Sequence, residues 1–270
     1  MDLTKPEFPR ASAYPAELVL GGNMGPNPLW LAEWLLRDVE LEEGARVLDL
    51  GSGMGASSIF LARETGARVF AADLWTTPDD AWSRVVAQGL EDRVVPVRAE
   101  AHALPFAAGF FDAVVSFDAY QYFGGDPMYL FYLARFLRPG GRIGVVVPGL
   151  MQPLPPDGPP PHLTEPQSHG VPFWEEECMG FSTADEWRAV FARCPRVEVQ
   201  AVDTLEDGWR HWRDWERATE GSGPFPSAAE ALDRDAGRYL GFIRVIATRR
   251  EGEPGMDLYE PGLAERVRSG

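Results

Sequence analysis

Lysine is almost missing from this sequence. Lys5 is the single lysine among 25 basic residues in a chain of 270, and 41 acidic residues bring the formal charge to −16. So acidic a surface repels phosphate backbones and anionic lipids, which excludes nucleic acid and membrane surfaces as expected partners. Cysteine is scarce as well. Cys178 and Cys194 are too few to staple a chain of this length and stand in no metal-ligand spacing, so we expect no metal site and read both as reduced core thiols. Nowhere do 18 apolar residues run together, and the opening MDLTKPEFPR lacks a basic region followed by an apolar stretch. The expected location is the cytoplasm and the expected partner a small molecule. Oligomeric state is not legible.

What the chain does have is apolar residues, 45% of the total, enough for one large domain with a lid. Strand patterns near 46–50, 68–74, 93–98, 111–117 and 142–147 alternate with helical patterns near 56–64, 79–89 and 126–137. Such alternation predicts an α/β fold with a mostly parallel sheet and helices on both faces. Upstream, Asn27 and Pro28 form a helix start, and Leu31, Trp34 and Leu35 follow at helical spacing. Eight prolines fall within 148–166, which predicts a stiff, irregular insertion. A helix near 183–193, a strand near 197–202, a Trp-rich helix near 206–218 and a strand near 242–248 follow. The expected division is an N-terminal lid and helix (1–43), a cofactor-binding core (44–149), a Pro-rich lid insertion (150–181), completion of the sheet (182–250) and a charged tail (251–270).

RVLDLGSGMGASS, residues 46–58, carries the chemistry. Val47, Leu48 and Leu50 read as a buried strand, and Ile59, Phe60 and Ala62 as the apolar side of a helix, so Gly51, Gly53 and Gly55 occupy the turn between them. There the backbone admits a ligand closely and a helix N-terminus offers free N–H groups. The spacing is D-x-G-x-G-x-G, different from the G-x-G-x-x-G of dinucleotide folds. Asp49 would suit an ammonium better than a pyrophosphate.

With its companions, this turn resembles the first motif of the class I S-adenosylmethionine-dependent methyltransferases, small-molecule subgroup. Asp73, in RVFAADLW, matches the acid that binds the cofactor ribose in that family; RAEAHALPFAAGFFDAVVSFDAYQYF and LRPGGRIGVVVP match the stretches around strands four and five. The resemblance covers 44–150 strongly and 183–249 weakly. It implies a Rossmann-like seven-stranded sheet whose last strand is antiparallel, S-adenosyl-L-methionine as cofactor, and a small-molecule methyl acceptor. The implied cofactor residues are Asp49, Gly51, Ser52, Gly53, Gly55, Asp73, Leu74, Trp75, Glu100, Ala101 and Ser116, with Glu100 and Ala101 at the adenine edge. A ribose diol can donate two hydrogen bonds to one carboxylate, which suits Asp73.

Methyl transfer from a sulfonium is an in-line displacement, so nucleophile, methyl and sulfur must be aligned and water excluded. Tyr120 and Tyr122, after strand four, are expected to line the transfer pocket and orient the acceptor. Relatives often place a histidine base there; this chain has Gln121 and Tyr122 instead. Of His102, His162, His169 and His211, we take His169, in QSHGVPFW, as the candidate base because it falls in the expected lid. Whether O, N, S or C is methylated stays open. A nicotinamide-dependent oxidoreductase and a non-catalytic S-adenosylmethionine-binding protein are the alternatives.

Overall fold

Seven strands form one sheet in the order β3-β2-β1-β4-β5-β7-β6. The computed structural model describes residues 3–22, 24–222 and 225–252; the expected tail beyond residue 252 lies outside them. In chain order the described elements are α1 (Ala16–Leu20), α2 (Pro28–Leu35), β1 (Arg46–Leu50), α3 (Ala56–Thr65), β2 (Arg68–Asp73), α4 (Pro78–Ala87), β3 (Val94–Arg98), β4 (Phe111–Phe117), α5 (Pro127–Ala134) and β5 (Leu137–Leu150). Then come α6 (Pro161–Thr164), α7 (Ala184–Ala192), β6 (Val197–Thr204), α8 (Gly208–Ala218), α9 (Ala229–Asp235) and β7 (Leu240–Arg249). Strands β1 to β5 pair in parallel, and β7 runs antiparallel to both β5 and β6. The last strand is therefore the antiparallel one, as expected.

The chain moves outward from β1 to β2 and β3, then returns to place β4 on the other side of β1. Such a reversal opens a crevice beyond the carboxyl ends of the two central strands, where ligands bind in this architecture. Buried apolar side chains fill both faces of the sheet: Val47, Ile59 and Val115 belong to one cluster, Leu48, Val114 and Val145 to the other.

Local chemistry explains the boundaries. Asn27 Oδ1 accepts from the N–H groups of Leu29 and Trp30 and starts α2, with Pro28 in the first turn. Thr77 caps α4, and Thr183 with Glu186 forms a reciprocal box at α7. Three features depart from the sequence reading. Strand β5 starts at Leu137 because Leu137 pairs with Phe111 of β4, and reaches Leu150 because β7 pairs with it from Arg142 to Leu150. Pro161 occupies the first turn of the short α6 inside the insertion, a position where proline fits a helix. Helices α1 and α9, too short for a clear period, were not expected.

The N-terminal segment is fastened from both sides. Glu33 accepts from the backbone N–H of Arg10 and Ala11 (3.2 and 2.7 Å), and Trp215 Nε1 of α8 donates to the Gly25 carbonyl (2.8 Å). The insertion docks on α9 through Gln167 Oε1, which accepts from Ala231 N (3.1 Å), and through His162 Nε2 to Asp235 (2.9 Å). Among the described residues no helix is long and apolar enough to cross a membrane.

Candidate active site

At the end of β1 the backbone turns through Gly51, Gly53 and Gly55, with φ of +78°, +51° and +81°. L side chains rarely adopt such angles, which explains the glycines. Gly51 has a second reason: a Cβ there would lie 2.2 Å from Cβ of Ala119. Gly51 N and Ser52 N donate to the Ala72 carbonyl (2.8 and 3.2 Å), which ties the loop to β2.

Asp73 closes β2 and clamps two loops. Its Oδ2 accepts from Gly53 N (2.9 Å), and its Oδ1 from Trp75 N and Thr76 N (both 2.8 Å). One carboxylate thus fixes the glycine turn against the segment after β2. Both loops line a cavity of about 370 Å³, together with Leu50, Glu100, Ala101 and Phe117. Trp75 and Leu74 stand exposed at its rim. Glu100 is held by His102, whose Nδ1 and backbone N each lie 2.9 Å from its carboxylate; this hydrogen bonding holds the Glu100 carboxyl below its ordinary range.

Of the residues implied by the family resemblance, Gly51, Ser52, Gly53, Asp73, Leu74, Trp75, Glu100 and Ala101 share this wall. Gly55 caps α3 just behind it. Two of the implied residues are elsewhere. Ser116 is buried and donates to the Leu50 carbonyl (2.7 Å), bracing β4 against β1. Asp49 is fully buried beneath the loop, where its Oδ2 accepts from Ser57 and Ser58 (both 2.6 Å) and its Oδ1 has no partner. Burial lifts its carboxyl to about 6. It lies beneath the loop and is not part of the cavity wall.

A second cavity of about 170 Å³ adjoins the first, and Met24, Gly25, Pro26, Asp118, Tyr122 and Glu177 line both. Tyr122 is exposed at these cavities. Tyr120 is not: it is fully buried among Phe123, Tyr129, Trp187 and Phe191, with its hydroxyl unpartnered. The tight turn over 120–122 directs Tyr122 outward and Tyr120 into the core. His169 reaches the second cavity from the insertion, but both ring nitrogens are engaged. Its Nε2 lies 3.1 Å from the Ser227 carbonyl, and Val171 N donates to its Nδ1 (3.3 Å). With a carbonyl as partner Nε2 must carry the proton, so no lone pair is left to take another.

Asp118 is the residue sequence reasoning missed. It follows β4 directly, holds φ at +53°, and its Oδ1 accepts from Gln121 Nε2 (3.1 Å). Burial, with Glu216 and Glu177 nearby, lifts its carboxyl to about 8. The N-terminal segment crosses it so closely that a Cβ on Gly25 would stand 2.0 Å from Asp118 Oδ2. The available signal was an aspartate, a residue that tolerates the left-handed region, placed just past a strand end beside the glycine turn. Among the described residues no three His, Cys, Asp or Glu side chains cluster in a way that could hold a metal ion.

Residues 47–141 match the family described as "Methyltransferase domain". Methyltransferase GfsG from Streptomyces halstedii is 35% identical over 116 residues, covering 43% of this chain and 42% of that protein. Erythromycin 3''-O-methyltransferase from Saccharopolyspora erythraea is 33% identical over 202 residues, covering 68% of this chain and 61% of that protein. The chain thus spans less than two thirds of the length of these curated relatives. A solved structure of geranyl diphosphate C-methyltransferase from Streptomyces coelicolor A3(2) superposes with a TM-score of 0.60 at 18% identity, covering 81% of this chain and 78% of that one. The sheet order, the glycine turn and the aspartate that ends β2 define an α/β protein with a crevice at the ends of β1 and β4. The family match over residues 47–141 and these similarities support a class I S-adenosylmethionine-dependent methyltransferase.

Proposed function

We propose that the protein transfers a methyl group from S-adenosylmethionine to a small-molecule acceptor, the cofactor occupying the larger cavity and the acceptor the adjoining one. The observation that carries this reading is the shared wall: the room lined by the glycine turn and Asp73 opens onto a second room at Asp118 and Tyr122. The residues fit the cofactor. Asp73 arrives pre-oriented by three backbone N–H groups, two on Oδ1 and one on Oδ2, which leaves Oδ2 a lone pair for a ribose hydroxyl. The unpartnered Asp49 Oδ1 puts an uncompensated charge under the loop, which suits a cationic ligand. Glu100 and Ala101 would bracket the adenine edge, and Leu74 and Trp75 would cover the exposed side. Bound S-adenosylmethionine supplies an electrophilic methyl carried on a sulfonium.

The chain's own contribution is alignment, exclusion of water and removal of a proton. Tyr122 borders both rooms and orients the acceptor at their junction. Asp118 stands at the same junction, and we assign to it the proton-accepting role that His169 cannot fill. Residues 24–26 and residues of the insertion line the second room, and we assign to them the role of a lid. We place the protein in the cytoplasm, with neither nucleic acid nor membrane as partner, because of its acidic composition. The dinucleotide reading finds no support in the family match.

Incubation with methyl-labelled S-adenosylmethionine and a small-metabolite extract, followed by mass spectrometry, tests the proposal. The expected result is a labelled small molecule whose formation Asp118→Asn reduces roughly 10²–10⁴-fold at unchanged cofactor affinity. Cofactor binding with no labelled product in any fraction would favour the non-catalytic alternative.

A further inference from the structure

The second room carries an excess of hydrogen-bond acceptors, and no described residue of its lining is a lysine or arginine that could answer them. Asp118, Glu175, Glu177 and Glu216 line it, and among the described residues no arginine or lysine does. Its single imidazole, His169, has both nitrogens committed to backbone groups. Glu175 and Glu177 are exposed, whereas Asp118 and Glu216 are sheltered enough that burial raises both carboxyls. The oxygens of Glu216 accept from Trp212 Nε1 (3.1 Å) and Ala228 N (3.0 Å), which fixes its orientation and leaves its charge unneutralised.

Gln121 adds an independent observation. It lines the same room, is only 5% exposed, and spends its Nε2 on Asp118, while its Oε1 has no partner at all. A buried amide oxygen left without a donor is costly unless a ligand supplies one. Tyr122, Phe173, Trp212 and Phe225 contribute the aromatic walls, and their faces attract cations. The four carboxylates and the Gln121 carbonyl oxygen are acceptors, the wall's amide and indole donors at Gln121 and Trp212 are spent on those carboxylates, and the aromatic faces favour positive charge.

We propose that the second room is an ammonium subsite: the acceptor bears a protonated amine, held by Asp118 and Glu216 with Gln121 Oε1 taking one of its N–H groups. Phosphorylated and carboxylated acceptors are refused, because the room offers an anion no cation and four carboxylates. This subsite rests on the methyltransferase reading for the word acceptor, but the charge selectivity of the room does not depend on it. One consequence touches catalysis. An ammonium beside Asp118 lowers its carboxyl from about 8, so the group is ionised, and able to receive a proton, when the acceptor is in place.

Three probes of one shape test the subsite: cyclohexylammonium, cyclohexanol and cyclohexanecarboxylate, titrated by calorimetry into the full chain saturated with S-adenosylhomocysteine. The expected order is ammonium over alcohol by roughly tenfold or more, with the carboxylate weakest. The ammonium's affinity should rise with pH up to about 8 as Asp118 ionises, with Glu175, Glu177, Glu216 and His169 the other titratable groups facing it. Glu216→Gln should abolish most of the preference for the ammonium over the alcohol. Equal binding of alcohol and ammonium, tighter binding of the carboxylate, or no saturation by the ammonium at millimolar concentration would each overturn the subsite. Binding of S-adenosylhomocysteine, measured first in the same cell, reports separately on the methyltransferase reading.

Discussion

Replacing Asp73 by alanine separates two roles that one carboxylate plays. In the folded chain it accepts three backbone N–H groups at 2.8–2.9 Å. Hydrogen bonds to a charged acceptor contribute about 1.5–3 kcal/mol each when buried, but this carboxylate is only half-buried and water can replace part of what is lost, so we expect a stability loss of about 2–3 kcal/mol. For a domain of this size that corresponds to a fall in Tm of roughly 4–10 °C. Cofactor binding should suffer separately. A ribose hydroxyl would lose a charged acceptor, worth about 1.5–3 kcal/mol, or roughly 10- to 150-fold in Kd. Thermal unfolding and calorimetric titration with S-adenosylhomocysteine, run well below the variant's Tm, give the two numbers independently. A protein that melts earlier yet binds within twofold of the parent would show that Asp73 only clamps the loops, and the ribose assignment would fall.

Three further outcomes follow from the same geometry. Tyr120→Phe removes a buried hydroxyl that has no partner, so stability in urea should rise by about 1 kcal/mol with turnover unchanged; a loss of acceptor affinity would return Tyr120 to the pocket. His169→Ala should lower turnover by less than about tenfold, since a base contributes 10²–10⁴ and this imidazole has no lone pair free. Asp49 is an acid whose folded-state pKa, about 6, lies above its ordinary value, so its ionisation opposes folding. Stability should therefore fall as pH rises from about 4 to 6, by about 3 kcal/mol from this group, and Asp49→Asn should flatten that slope in pH-dependent urea titrations of the ligand-free protein; an unchanged slope would rule out Asp49 as its source.

The sequence made the cofactor half of the site readable and left the acceptor half obscure, and the reason is physical. Gly51, Gly53, Asp73 and Glu100 are demanded by backbone angles and by the ends of consecutive strands, both of which leave a local trace. Tyr120 and Tyr122 differ by two positions in one tight turn, and only the rotation of that turn decides which ring enters the core. His169 was assigned by its place in the insertion, but its contacts come from Ser227 and Val171, and Ser227 is 58 residues away. Asp118 becomes conspicuous only when the N-terminal segment, α8 and the insertion close around it. Strand order beyond β5 was likewise expected from family resemblance rather than from periodicity.

The interleaving of β7 between β5 and β6 bears on how the chain is made. During synthesis the first five strands emerge in an order that lets each find its neighbour, but β6 appears with no adjacent strand to join, because its only partner in the sheet is β7. Until residues 240–249 leave the ribosome, β5 remains an open edge and β6 an unpaired, half-apolar segment. Arg244, at the middle of β7, then reaches back to the Trp34 carbonyl and Asp38 as well as across to Asp203 of β6. A ribosome stalled before residue 240 should thus hold a chain whose glycine turn is formed but whose sheet invites foreign strands, and a chaperone that shields β5 would act at that interval.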